Sequence, residues 1–343
     1  MSNQKRNIQL FVILAIGLLF LLLVNISFGS VTIPFEEVIN SLTGGKASKS
    51  TWEYIIINYR LPKAITAILV GMGLSISGLL MQTLFRNPLA GPDVLGLSSG
   101  ASLSVAFVIL GAGLVPSFLG SIFLSPYGLV IASTIGSFAV LLLVLLVSQK
   151  LRDTMAILVL GLMFGSFTSA IVGILTFFSS AEQLQKFTFW SLGNLGNLSW
   201  LSIIILAFSV LLGLLISMLC IKPLNALLLG ENYARSLGLN FKRTRLLIIF
   251  ATSILAGSIT AFAGPIAFVG LAVPHIAKLL FQTSNHFILY WSTLLLGAAI
   301  MLICDVISQM PGMEITLPIN AITSIFGAPV VIWLLVRKQK IVR

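Results

Sequence analysis

Residues 198–221 read LSWLSIIILAFSVLLGLLISMLCI, without one aspartate, glutamate, lysine or arginine, and Lys222 follows at once. A bilayer core of about 30 Å takes about 20 apolar residues in a helical crossing, so this run is long enough to span. Its apolar residues are continuous and do not alternate in ten-residue segments, which selects a helix over a barrel strand. Comparable runs lie on either side: near 8–28, 62–83, 93–113, 126–148 and 155–178 before it, and near 245–263, 266–282, 288–308 and 317–336 after it. The spans starting near 93 and 266 each begin just after a Gly-Pro, Gly91-Pro92 and Gly264-Pro265. The sequence therefore predicts an all-α integral membrane protein of about ten transmembrane helices, one domain over residues 1–343, with a polar stretch at 223–242 inside it.

Composition points the same way. Hydrophobic residues make up 58% of the 343 and charged residues 8%, against about 25% charged in an ordinary soluble domain. So little polar side chain cannot cover a water-facing surface. The net charge of +11 is scattered between apolar runs, with no basic patch interleaved with aromatics, which argues against nucleic acid as a partner. Topology explains it better. With the N-terminus cytoplasmic, 15 lysines and arginines fall at cytoplasmic helix ends and five (Lys46, Lys49, Arg60, Lys63 and Lys186) at outer ends. Such a bias over short loops fixes orientation, and ten crossings put both termini in the cytoplasm. Lys5 and Arg6 ahead of the run from Ile8 to Val24 resemble a signal peptide. The run exceeds a typical signal core and many spans follow, so it reads as a retained first helix.

Small residues recur every fourth position in two spans: Gly71 with Ser75 and Gly73 with Ser77, then Gly161, Gly165, Ser169 and Gly173 as one stripe. That spacing lets membrane helices approach backbone to backbone; it serves packing, and the longer stripe is also a candidate border of a pathway. A second regularity is Ala90-Gly91-Pro92 with Leu95-Gly96-Leu97, echoed by Ala263-Gly264-Pro265 with Val269-Gly270-Leu271. Two such units of opposite orientation are what an inverted repeat would produce, although chance matching is easy in so apolar a chain.

Ionisable groups are nearly absent from the span centres. Asp93, Asp153 and Asp305 lie near predicted helix ends, and His275 follows Pro274. Ion-coupled carriers use intramembrane carboxylates or histidines as relays, so the energy for transport enters from elsewhere. No GxxxxGK[ST] phosphate loop is present, which places nucleotide hydrolysis on a separate polypeptide. Cys220, Cys304, His275 and His286 form no redox, disulfide or metal pattern. No metal site and no directly bound cofactor are expected, and no set of nucleophiles and acids converges as a membrane enzyme needs. The polar stretch between spans 6 and 7 suits a partner. Glu231 and Arg235 stand at i,i+4, while Gly230 and Gly238 punctuate a short cytoplasmic helix too small to fold alone. Docking in a groove on another protein is one reading; an amphipathic loop resting on the membrane is the other.

These motifs resemble one family. Gly71-x-Gly73 through Gly78 and Gln82, Arg86-Asn-Pro-Leu-Ala-Gly-Pro92 and Leu95-Gly-Leu-Ser-Ser-Gly-Ala101 are similar to the signature of FecCD-like permeases. Those are the membrane subunits of ATP-binding-cassette importers for iron–siderophores, haem and cobalamin. The resemblance runs on through Trp190-Ser-Leu-Gly193, Leu229-Gly-Glu-x-x-Ala-Arg-x-Leu-Gly238 and Gly264-Pro-Ile-Ala-Phe-Val-Gly-Leu-x-x-Pro-His275, then Leu317-Pro318 and Gly327-Ala-Pro329. It implies a homodimer in the bacterial cytoplasmic membrane, with a path lined by span 5. Two ATPase subunits, which use ATP and Mg, would grip the 230–238 helix through Gly230, Glu231, Ala234, Arg235, Leu237 and Gly238. An external substrate-binding protein would dock on Arg60 and Lys63, although a further basic position of the family is Gln309 here. The resemblance places an inner gate at Leu89, Asp153 and Thr154; an Arg152–Asp153 pair at the membrane surface is the other reading of that carboxylate. An ion-coupled secondary transporter is the principal alternative, and the choice among large cargoes would rest with the binding protein.

Overall fold

The computed structural model describes residues 3–29, 31–45, 47–111, 124–150, 154–196, 198–309 and 316–341; of residues 3, 94, 126, 148, 149, 158, 334, 335 and 337–341, and of Thr154 and Glu231, it describes the backbone alone. All regular structure among the described residues is helical. Among the described residues, seven helices are long and apolar enough to cross a membrane, and three shorter apolar ones, Leu97–Ile109, Val269–Phe281 and Ile319–Trp333, bring the apolar helices to the expected ten. In chain order the helices are α1 (Asn3–Ser27), α2 (Phe35–Leu42), α3 (Ser50–Ile55), α4 (Leu61–Leu84), α5 (Leu97–Ile109), α6 (Pro126–Lys150), α7 (Thr154–Phe177) and α8 (Ala181–Ser191). They continue as α9 (Trp200–Leu219), α10 (Ile221–Leu227), α11 (Glu231–Ser236), α12 (Phe241–Ala263), α13 (Val269–Phe281), α14 (His286–Ser308) and α15 (Ile319–Ile341). The protein is a multi-pass membrane protein.

The two spans that follow a Gly-Pro are shorter than expected. α5 and α13 have 13 residues each, about 20 Å at 1.5 Å per residue, short of a bilayer core. Both are delayed by a left-handed residue after the proline: Gly96 (φ 76°) caps α5 and Phe268 (φ 65°) caps α13. A short 3-10 turn, Pro92–Leu95, fills the first break. The second span differs in the opposite sense. Helix runs without interruption from Ser50 to Leu84, 35 residues, because a π-helical turn at Ile56–Arg60 joins α3 to α4. Single π turns sit inside longer helices and redirect the side chains around them. Outside the apolar helices, α8 starts in a capping box in which Ser180 and Gln183 satisfy each other's backbone. Its exposed Glu182 pairs with Lys186 at 2.8 Å, and that ammonium holds the carboxyl below its ordinary range.

The chain divides into two compact units that alternate along the sequence. The first comprises 1–75, 194–207 and 267–343. Here α14 packs on α1, α13 and α15, and α4 meets α14 backbone to backbone. A Cβ placed on Gly71 would lie 2.2 Å from the carbonyl oxygen of Gly297, and one on Gly297 would lie 2.2 Å from Ser75 Oγ. The Gly71/Ser75 pair is thus a packing face, as its spacing foretells.

The second unit comprises 76–193 and 208–266. Its short helix α5 packs on α6, α7 and α12, and α12 packs also on α6. Glycine again sets the contact: a Cβ on Gly136 would stand 2.2 Å from the Gly100 carbonyl oxygen. Val105, Ala106, Ile109 and Leu110 form a buried cluster lined by Val172, Leu175 and Trp190. Gly264 (φ 76°) ends α12 where a Cβ would meet the Trp190 carbonyl oxygen at 2.8 Å.

Replacing Gly71 by valine should cost about 1–3 kcal/mol or more, because the added atoms meet backbone that cannot move aside. A fall in the detergent-solubilised melting temperature checks this; unchanged melting would remove Gly71 from the α4–α14 contact.

Candidate functional site

The polar segment between α9 and α12 forms a short helix where the sequence places one. Gly230 (φ 109°) and Gly238 (φ 84°) bracket the six-residue helix α11, each in backbone that a Cβ disfavours. Ala234, only 1% exposed, anchors the helix, and Leu239 N–H donates to its carbonyl at 3.1 Å. Asn240 then caps α12, its side chain accepting from Arg243 N–H at 3.0 Å. The Arg235 guanidinium lies 5.7 Å over the Phe241 ring, with Arg245 6.0 Å from the same ring, a cation–π arrangement that fixes the exit of α11 against α12.

What faces outward from this segment is apolar. Leu228, Leu229, Tyr233 and Leu237 are 51%, 64%, 55% and 62% exposed. Exposed apolar residues gathered on one short rim suit contact with a protein or with the membrane surface. The Glu231 side chain, and with it the expected pairing to Arg235, lies outside the described residues, as does Asp153 of the expected gate. Leu89 is 43% exposed in a turn held by its own amide, which donates to Asn87 Oδ1 at 2.9 Å. Thr154 is the first residue of α7.

The glycine stripe on α7 divides into two parts. Gly161 is buried, and its carbonyl oxygen lies 3.2 Å from where a Cβ on Gly96 would be. A Cβ on Gly165 would meet Ser99 Oγ at 3.4 Å. This part packs on the break ahead of α5. Ser169 is exposed, and a Cβ on Gly173 would meet nothing within 4 Å. Neighbouring Phe167 and Ile174 are also exposed, so the far part of α7 is open.

Arg60 and Lys63, expected to receive an external protein, are engaged inside the first unit. Arg60 is 8% exposed; its Nη1 donates to the carbonyls of Ile26 at 2.8 Å and Ser27 at 2.7 Å, and its Nη2 to that of Val31. Desolvation explains this: a guanidinium at the end of a π turn, facing inward, satisfies carbonyls left open where α1 ends. Its place is that of an internal strut. Lys63 Nζ lies 3.0 Å from Asp305 Oδ1, with Lys63 19% exposed at its side chain. Asp305 is fully buried and its Oδ2 accepts from Asn25 at 2.9 Å and Gln309 at 2.8 Å. The family's further basic position, Gln309, is thus a partner of the acid. Sequence reading left Asp305 as a helix-end residue; a lone carboxylate in an apolar run, with Lys63 elsewhere in the chain, was the available signal.

The model of the FecCD transport family matches residues 17–337. The chain belongs to the FecCD transport family. Among its relatives, the hemin transport system permease protein HmuU of Yersinia pestis is 32% identical over 95% of this chain and 96% of its own length. The vitamin B12 import system permease protein BtuC of Escherichia coli is 33% identical over 98% of this chain and 97% of its own. A solved inward-facing structure of a metal-chelate type ABC transporter superposes with a TM-score of 0.82, at 28% identity, over 96% of this chain and 99% of that one. The FecCD family member described here is therefore an ABC-transporter-type permease with about ten helices, as its motifs suggested.

Three variants test the packing of these groups. Asp305→Ala strands the Lys63 ammonium and the two amide donors, and should cost about 3–5 kcal/mol; the paired Lys63→Met, Asp305→Leu variant should recover the part of the loss in thermal melting that is due to the stranded ammonium. Ala234→Phe overfills its site by about 1–3 kcal/mol and should expose Arg235 to trypsin. Wild-type cleavage rates in that variant would show that Ala234 does not anchor α11.

Proposed function

We propose that this permease is the membrane-spanning subunit of an ATP-driven importer for an iron chelate, haem or cobalamin-type cargo. Two copies form the pathway, and two separate ATPase subunits hold the 223–242 segment of each from the cytosol. The observation that carries this reading is the apolar rim of Leu228, Leu229, Tyr233 and Leu237 on a short helix anchored by Ala234. It is shaped for insertion into another protein's groove, and the helix is too short to be stable by itself. The haemin and vitamin B12 permeases among its relatives support the cargo class, as does the metal-chelate transporter it superposes on. ATP and Mg belong to the ATPase partner, since the sequence carries no phosphate loop.

A second copy of the chain suits the open part of α7, where Phe167 and Ile174 stand exposed beside Ser169 and Gly173. An external binding protein would engage the outer face at Lys63, the cation of the polar cluster that retains exposure, while Arg60 holds the end of α1 beneath it. Complementary charge would set register and encounter rate.

Arg235→Glu, or Glu231→Arg, should leave membrane insertion intact while abolishing ATP-driven uptake. Proteoliposomes containing the permease and its co-expressed ATPase, loaded outside with haemin or cyanocobalamin, check this. Uptake at the wild-type rate would exclude the docking role. Uptake by the permease alone on a proton or sodium gradient would favour a secondary carrier instead.

A further inference from the structure

Arg86 is one of three described non-glycine residues with positive φ, at 46°. That backbone region is disfavoured for a residue bearing a Cβ, and such conformations persist where the surroundings over-determine them. Arg86 follows the end of α4, in the turn that leads to the break ahead of α5. Its amide donates to the Thr83 carbonyl at 3.3 Å, Asn87 N–H to that of Gln82 at 3.2 Å, and Ala90 N–H to that of Asn87 at 3.1 Å. The turn is therefore fastened to the end of α4 and to itself.

The Arg86 side chain leaves this turn and reaches the cytosolic segment. Nη2 donates to the carbonyl of Leu227, the last residue of α10, at 3.3 Å. A positive group at a helix C-terminus is favoured by the carbonyls exposed there. A Cβ on Gly230, the N-cap of α11, would have Arg86 Nη2 as its neighbour at 3.9 Å. At its other end the same turn passes through Pro92–Leu95 to Gly96. A Cβ on Gly96 would meet the Gly161 carbonyl oxygen at 3.2 Å and Phe164 at 3.3 Å, both on α7. One chain of direct contacts thus joins α10 and α11 to Arg86, Arg86 to the 86–96 turn, and the turn to the glycine stripe of α7. All of it lies within the second unit.

We propose that Arg86 is a positioning residue that transmits displacement of the cytosolic segment to α7 through the 86–96 turn. The inference rests on the reading that a separate ATPase moves that segment. The left-handed backbone at 86 aims the side chain away from its own turn and toward the Leu227 carbonyl. A glycine would suit the backbone better and could not make the link.

The test uses the full-length permease in complex with its co-expressed ATPase in nanodiscs. Spin labels are placed one at a time at the exposed positions Ser236→Cys, the last residue of α11, and Met163→Cys, on α7; native Cys220 and Cys304 are buried. Trapping with ATP and vanadate should change the line shape or accessibility of both labels in the otherwise wild-type protein. In Arg86→Gly, which relieves the backbone, the ATPase should still bind and the label at 236 should still respond. The response at 163 should fall by about three-fold or more, the range of coupling that such positions carry. Arg86→Asn, which tolerates the left-handed region but cannot reach Leu227, should behave like Arg86→Gly and guards against misfolding of either variant. Arg86→Lys should restore part of the response. An undiminished signal at 163 in both short variants overturns the proposal. Failure of the ATPase to bind the wild-type chain at all would instead overturn the transport reading, and the link with it.

Discussion

Lipid offers no hydrogen bond to a peptide group, and the architecture of this protein follows from that single deficit. Long helices satisfy the backbone within themselves, and wherever a helix is broken the freed groups must meet protein. Both breaks in this chain do so. Gly96 turns into α5 against Gly161 and Phe164, and Gly264 leaves α12 against Trp190 and Gly193. In the second break the Ala267 amide donates to Asn320 Oδ1 at 3.0 Å. Backbone contact at Gly71/Gly297 and Gly100/Gly136 serves association by the same logic, since burying one apolar side chain against another gains little where the solvent is itself apolar.

Charge obeys the same constraint. Asp305 is fully buried and carries three donors, and Arg60 closes the carbonyls at the end of α1. Neither group is arranged as a proton relay along a span; each ties helix ends together. The contrasting feature is the apolar rim of Leu228, Leu229, Tyr233 and Leu237, which no other part of the described chain covers.

Energy supply and topology become one question in this light. The pathway candidates lie on α7 and the proposed partner contact at 228–238. Within the second unit a continuous set of contacts joins the two by way of the 86–96 turn. The glycine stripe therefore has two uses along one helix: its first part receives that turn, and its later part remains open.

The amino-acid sequence by itself determined the class of solvent, the number of apolar helices and the short helix between Gly230 and Gly238. Each depends on composition, run length or neighbouring residues, which a linear reading contains. It also identified Gly71 and Ser75 as a packing face, because four-residue spacing is a local property. Only the tertiary structure decided that α5 and α13 stop short of a crossing, that Arg60 turns inward on a π turn, that Asp305 selects Lys63, Asn25 and Gln309, and that Arg86 reaches Leu227. Those outcomes depend on which open carbonyl or buried charge lies within about 3 Å of a given side chain, and the partners are separated by tens to hundreds of residues along the chain. Periodicity reports the face a residue occupies; the group opposite it is fixed by packing alone.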